Sequence, residues 1–181
     1  MITKTAFAGS GGQGVLSMGY ILAFAVMRDN MNVTYLPSYG AEVRGGTANC
    51  TVCVSDEEIA SPVASEPDFA VVLNKPSMNK YQNLIKKGGI LIMNSSLIDA
   101  EPTREDIKIV KIPANDIALE LGNERTVNVI MLGAYAAMTK VTSQDSLMGG
   151  LSEVLGAKKA ELLDLNRKGM EKGAGYALDN K

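Results

Sequence analysis

Gly9-Ser10-Gly11-Gly12-Gln13-Gly14 follows the apolar run of residues 2–8 and leads directly into Val15-Leu16-Ser17-Met18-Gly19. That order predicts a strand, a glycine turn and a helix start. Four glycines in six positions let the backbone reach positive φ and bring its N–H groups close to a ligand, and the helix that follows points its positive end at the same place. Such geometry suits a phosphate or pyrophosphate. The spacing also meets G-x-G-x-x-G, although the same glycines would serve to pack a helix closely on a strand.

Composition bounds what surrounds this turn. With 181 residues, 46% hydrophobic and 21% charged, the chain can bury one sizeable core and is expected to form a single domain over residues 1–181. A formal charge of −2 gives no electrostatic case for a nucleic-acid partner. Glycine interrupts the first residues too soon for a secretory signal, and no apolar stretch reaches the length of a membrane span. The expectation is a soluble cytoplasmic protein with no membrane partner.

The sequence contains no histidine, which removes a histidine general base, a Ser-His-Asp triad, a Cys-His pair and every histidine metal ligand. Chemistry done by this chain alone would rest on Lys, Glu, Asp, Tyr or Cys. The two cysteines, Cys50 and Cys53, form C-x-x-C inside a strand-like run, residues 47–54. Positions three apart on a strand face opposite ways, so the thiols should diverge. Without histidine or further cysteine, the chain cannot complete a four-ligand zinc or iron–sulfur site by itself. Two buried reduced cysteines are expected, with a redox or intersubunit metal role as the alternative.

Further along, short apolar runs alternate with helical periods. Residues 14–27 read as the first core helix, 32–36 as a strand broken by Pro37, and 47–55 as another strand. Residues 69–73 and 89–93 read as fully buried strands on either side of a helix at 77–87. Residues 107–112 alternate as a strand until Pro113, followed by a short helix at 114–121, a very apolar helix at 128–139, and helices at 143–155 and 158–178. Gly169, Gly173 and Gly175 suggest bending or fraying in the last. The fold class is α/β, a Rossmann-like, mostly parallel sheet flanked by helices, in which ligands gather at the carboxyl ends of the strands.

A nicotinamide site would place an acidic residue at the end of the second strand, about 20 residues beyond the glycines. That region reads Thr34-Tyr35-Leu36-Pro37-Ser38, and the nearest carboxylate, Glu42, falls in a loop. The loop itself, Tyr39-Gly40-Ala41-Glu42-Val43-Arg44-Gly45-Gly46, sets an aromatic ring, a carboxylate and a guanidinium between glycines. In this architecture it should follow the strand neighbouring the first, so both glycine loops would face one cleft. Arg44 would clamp a phosphate, pair with Glu42 or reach a neighbouring subunit.

Ala8-Gly9-Ser10-Gly11-Gly12-Gln13-Gly14-Val15, Pro37-Ser38-Tyr39-Gly40-Ala41-Glu42-Val43-Arg44-Gly45-Gly46 and Asn128 with Leu132-Gly133-Ala134 resemble the gamma subunit of the 2-oxoacid:ferredoxin (acceptor) oxidoreductases over essentially the whole chain. The resemblance implies one component of a complex that converts a 2-oxoacid, coenzyme A and oxidised ferredoxin into acyl-coenzyme A, carbon dioxide and reduced ferredoxin. It implies thiamine diphosphate with magnesium and iron–sulfur clusters in alpha and beta partners, a possible ferredoxin-like delta subunit, and a gamma part that helps bind coenzyme A. The thiamine chemistry belongs to the cofactor.

Carried onto this sequence, the resemblance makes Gly9, Gly11, Gly12 and Gly14 the backbone cradle for the coenzyme A phosphates, with Ser10 and Gln13 as side-chain donors. Arg44 becomes the cation, Glu42 fixes Arg44 or its loop, Tyr39 stacks or hydrogen-bonds, and Gly45 and Gly46 are counted with the coenzyme A-binding residues. Asn74 stands where ligands bind, or caps the next helix, and Asn128 is a helix cap or a hydrogen-bond anchor. No residue of this chain is assigned a catalytic role. An independent nicotinamide dehydrogenase and a scaffold that binds no ligand are the competing readings. The choice of 2-oxoacid lies with the partner subunits.

Overall fold

A computed structural model of the chain describes residues 1–40, 46–156 and 160–180. A six-stranded sheet runs through it in the order β2-β3-β1-β4-β5-β6. Its strands are β1 (Ile2–Ser10), β2 (Asn32–Tyr39), β3 (Thr47–Ser55), β4 (Phe69–Val72), β5 (Ile90–Asn94) and β6 (Lys108–Ile112). The helices are α1 (Val15–Arg28), α2 (Lys75–Tyr81), α3 (Ala114–Glu120), α4 (Val127–Thr139), α5 (Gln144–Leu155) and α6 (Ala160–Asp179). The pairs β1–β4, β4–β5 and β5–β6 are parallel, as expected for strands buried on both faces.

One half of the sheet departs from that pattern. β2 and β3 form an antiparallel hairpin, and β3, not β2, lies beside β1. The second glycine loop therefore does not follow the strand neighbouring the first. It still reaches the carboxyl end of β1, because β3 runs backwards and its first residue, Thr47, pairs with Ser10. β2 also passes through Pro37 to Tyr39 rather than breaking there. As the edge strand it has no second neighbour to miss the absent N–H.

The sheet separates two apolar layers. Phe7, Val71, Leu73 and Ile92 face a large core with α1, α3, α4, α5 and α6, while Ala6, Ala8, Ala70, Val72, Leu91 and Met93 face a smaller one with Met78 of α2, Ile85 and Ile98. Tyr135 of α4 is fully buried in the larger layer and shares a hydrogen bond with Thr5 Oγ1 at 2.8 Å. Asp29, at the end of α1, accepts from Thr142 Oγ1 at 2.7 Å and Ser146 Oγ at 2.5 Å, which holds the start of α5 to α1.

Helix α2 starts earlier than the sequence suggests, since Asn74 caps it and Pro76 lies in its first turn, and it ends sooner, at Tyr81. Between Asn123 and α4 a single 3-10 turn, Glu124–Thr126, intervenes. Helix α6 is continuous across its glycines, and Gly173 serves contact rather than bending. A Cβ on Gly173 would lie 2.0 Å from the carbonyl oxygen of Ile130, and one on Gly133 2.0 Å from that of Met170, so the backbones of α4 and α6 touch. Cys50 and Cys53 diverge as expected. Cys50 Sγ donates to the Val15 carbonyl at 3.7 Å and Cys53 Sγ to the Pro62 carbonyl at 3.6 Å. Burial pushes both thiols up, Cys50 to about 12.

Gly173→Ala should cost about 3 kcal/mol in urea unfolding because α6 must move off α4. Gly175→Ala, in the same helix with nothing within 4 Å of its Cβ, should instead gain up to about 1 kcal/mol. Native Cys50 should resist alkylation at pH 8 and react rapidly once denatured. Its raised value means that its contribution to stability is full below the ordinary thiol value of 9.0 and is lost as pH rises towards about 12. The slope of unfolding free energy over that interval should be shallower in Cys50→Ala.

Candidate functional site at the carboxyl end of β1

The chain leaves β1 at Ser10 and turns through Gly12 at φ +93° into Gly14 at φ +74°, the residue that precedes α1. Both angles lie where side chains are strained. Gly14 has no side chain with which to cap α1, so among the described residues no side-chain cap takes the first N–H groups of the helix, where its positive dipole end lies. Among the described residues nothing lies within 4 Å of a Cβ built on Gly12, whereas on Gly14 it would meet Asn128 Nδ2 at 2.8 Å.

The loop is held from within. Ser10 N–H donates to Gln13 Oε1 at 2.7 Å, Gln13 N–H to the Ser10 carbonyl at 3.2 Å, and Gln13 Nε2 to the Leu73 carbonyl at 3.4 Å. Gln13 thus braces the loop with the groups that the sequence suggested as ligand donors. Asn74 does two things at once. Its Oδ1 accepts from Ser77 N–H at 2.9 Å, capping α2, and its Nδ2 donates to Ser10 Oγ at 2.7 Å, leaving that hydroxyl free to donate.

The loop divides two clefts. One, of about 350 Å³, is lined by Ser10, Gly11, Gly12, Gly14, Ser17, Tyr39, Gly46 and Thr47. Gly11 N–H donates to the Gly46 carbonyl at 2.9 Å, so the two glycine motifs meet directly, with Tyr39 72% exposed at the rim. The other, of about 380 Å³, brings Gly12, Gln13 and Gly14 against Asn115, Glu124, Arg125 and Asn128. Gly9 belongs to β1 opposite Ala48 and faces a smaller recess towards Pro76 and Ser77. Glu42, Arg44 and Gly45 lie outside the described residues.

Asn128 is not a cap, since α4 begins at Val127 after Thr126; its side chain lies over Gly14. Arg125, Glu124 and Asn115 were missed from the sequence. The one signal was the polar tract Asn123-Glu124-Arg125 immediately before the apolar helix. Asn115 is oriented from behind, accepting at Oδ1 from Asn94 Nδ2 at 2.7 Å. The nicotinamide reading fails on geometry as well as residue type. β2 ends in Leu36-Pro37-Ser38-Tyr39 without a carboxylate, and the antiparallel β3 occupies the place beside β1 that a dinucleotide fold gives to its second parallel strand.

Among the described residues no group of three histidine, cysteine, aspartate or glutamate side chains gathers to hold a metal ion, and no helix is long and apolar enough to cross a membrane.

Comparison with known proteins places this architecture. Over 177 residues the chain is 34% identical to ketoisovalerate oxidoreductase subunit VorA of Methanothermobacter marburgensis, an alignment that takes in 98% of this chain and 37% of that protein. The chain thus spans little over a third of the length of the VorA proteins it matches. It superposes with a TM-score of 0.88 and 27% identity on the gamma subunit of a keto/oxoacid ferredoxin oxidoreductase from Geobacter sulfurreducens, covering 100% of this chain and 99% of that one. With a TM-score of 0.90 and 27% identity, 99% of the chain matches 32% of the 2-oxoglutarate:ferredoxin oxidoreductase from Magnetococcus marinus, solved with 2-oxoglutarate, coenzyme A and succinyl-CoA bound. The family model for pyruvate ferredoxin/flavodoxin oxidoreductase matches residues 4–176, and the chain belongs to that family.

Proposed function

We propose that the chain is the gamma component of a 2-oxoacid:ferredoxin oxidoreductase and that the glycine loop after β1 binds the pyrophosphate of coenzyme A. The observation that carries this reading is the start of α1 behind Gly12 and Gly14, which has no side-chain cap among the described residues and borders clefts on both sides of the loop. Backbone N–H groups at a helix start suit a pyrophosphate, and a close relative in fold holds coenzyme A. Within the proposed site, Gly11, Gly12 and Gly14 supply backbone approach, Ser10 Oγ a donor, and Tyr39 and Gly46 one rim. Arg44 adds a cation, with Glu42 and Gly45 shaping its loop. Gln13 and Asn74 hold the loop, and Gly9, where a Cβ would meet Gln13 Oε1 at 2.6 Å and Val15 at 2.9 Å, keeps β1 close to the loop and the start of α1.

In this reading coenzyme A supplies the thiol that takes the acyl group. The chain's own residues bind and orient its phosphate end. Thiamine diphosphate, magnesium and iron–sulfur clusters belong to alpha and beta components, a ferredoxin-like delta component can complete the assembly, and ferredoxin takes the electrons. A cytoplasmic location follows from that soluble acceptor.

Purified alone, the chain should turn over no 2-oxoacid. Assembled with its alpha and beta partners, it should support coenzyme A-dependent reduction of ferredoxin by one or more of 2-oxoglutarate, pyruvate and branched-chain 2-oxoacids. Gly12→Val, which places a β-branched residue at positive φ, should raise the KM for coenzyme A about ten-fold or more while the KM for the 2-oxoacid stays within about two-fold. Turnover by the isolated chain, or parallel rises in both constants, would overturn the reading.

A further inference from the structure

The cleft beyond the glycine loop contains a guanidinium that the pyrophosphate reading does not use. Arg125 sits on the turn Glu124–Thr126, whose backbone is fixed by Asn123. Asn123 Oδ1 accepts from Arg125 N–H at 3.0 Å, and the Asn123 carbonyl accepts from Thr126 Oγ1 at 2.8 Å. The turn is pinned while the side chain is exposed on the wall that faces Gly12 and Gly14. Among the described residues, Arg28, Arg104 and Arg167 each lie within 4.0 Å of a carboxylate, and Arg125 does not. A guanidinium with no carboxylate partner among the described residues, beside the turn proposed for the pyrophosphate, suits a second phosphate.

Building on the coenzyme A reading, we propose that Arg125 binds the 3′-phosphate of coenzyme A and is the residue that distinguishes coenzyme A from its 3′-dephospho form. With the pyrophosphate at the crest of the loop, the adenosine ribose is one phosphoester link away, and the cleft that begins at Gly12 and Gly14 receives it. A terminal phosphate dianion matches the planar donor fork of arginine. Asn115 and Asn128 line the same cleft with amide donors and acceptors for the nucleoside. Glu124, beside Arg125, is an acceptor for the neighbouring 2′-hydroxyl, the role an acidic side chain takes against a ribose elsewhere. The pantetheine arm then leaves on the opposite side of the loop, past Tyr39 and Thr47.

The test compares kcat/KM for coenzyme A and for 3′-dephospho-coenzyme A in the assembled complex, using wild type, Arg125→Met and Arg125→Lys. Wild type should prefer coenzyme A. Arg125→Met should lower that preference by about 10- to 100-fold, the worth of one charge-assisted contact, and Arg125→Lys should keep part of it. Equal losses for both thiols would overturn the assignment, because a structural or interface role cannot sense the 3′-phosphate. A wild type that does not discriminate between them would overturn it as well and leave the coenzyme A reading standing. Ferredoxin reduction that needs neither thiol would instead overturn the coenzyme A reading, and this assignment with it.

Discussion

The antiparallel pairing of β1 with β3 is the constraint on which the site depends. It sets Ser10 opposite Thr47 and carries Gly11 N–H to the Gly46 carbonyl at 2.9 Å. A parallel neighbour beside β1 would begin at the far end of the sheet, and its preceding loop would be a strand length away. Because β3 runs backwards, the loop that precedes it starts where β1 ends. Two glycine motifs separated by a helix and a strand thereby become neighbours. The same insertion takes the place of the second parallel strand that a dinucleotide fold uses, and so removes the ribose-binding acid of that fold.

Around this junction the polar side chains are taken up with support. Gln13 and Asn74 spend their hydrogen bonds on Ser10, Leu73 and the start of α2. That braces the turn and, among the described residues, leaves the N–H groups at the start of α1 without a side-chain cap. A loop that used its side chains on a ligand would have to be ordered at the moment of binding; here the ordering is done by folding. The backbone contact of α4 with α6 at Gly133 and Gly173 works to the same end, since α4 carries Asn128 against Gly14.

Much of this was legible in the sequence. The apolar runs of β4 and β5 are nearly continuous because both faces are buried, and the period of α1 is clear, so strand, turn and helix could be placed within a residue or two. The divergence of Cys50 and Cys53 followed from strand geometry alone. The reach of β2 through Pro37 was not legible, because whether proline ends a strand depends on its being an edge. Nor was the purpose of Gly173. A helical glycine reads as a weakness until the facing backbone is known.

By itself the sequence determined the elements, the glycine turn with its phosphate-friendly backbone, and the lack of any histidine chemistry, all of which depend on residue type and local spacing. Only the tertiary structure decided which residues surround that turn. It turned Gln13 inward as a brace, gave Asn74 both α2 and Ser10, laid Asn128 over Gly14 and brought Arg125 to the opposite wall. Those positions are set by strand order and helix contact between residues far apart in the chain, and no local pattern encodes them.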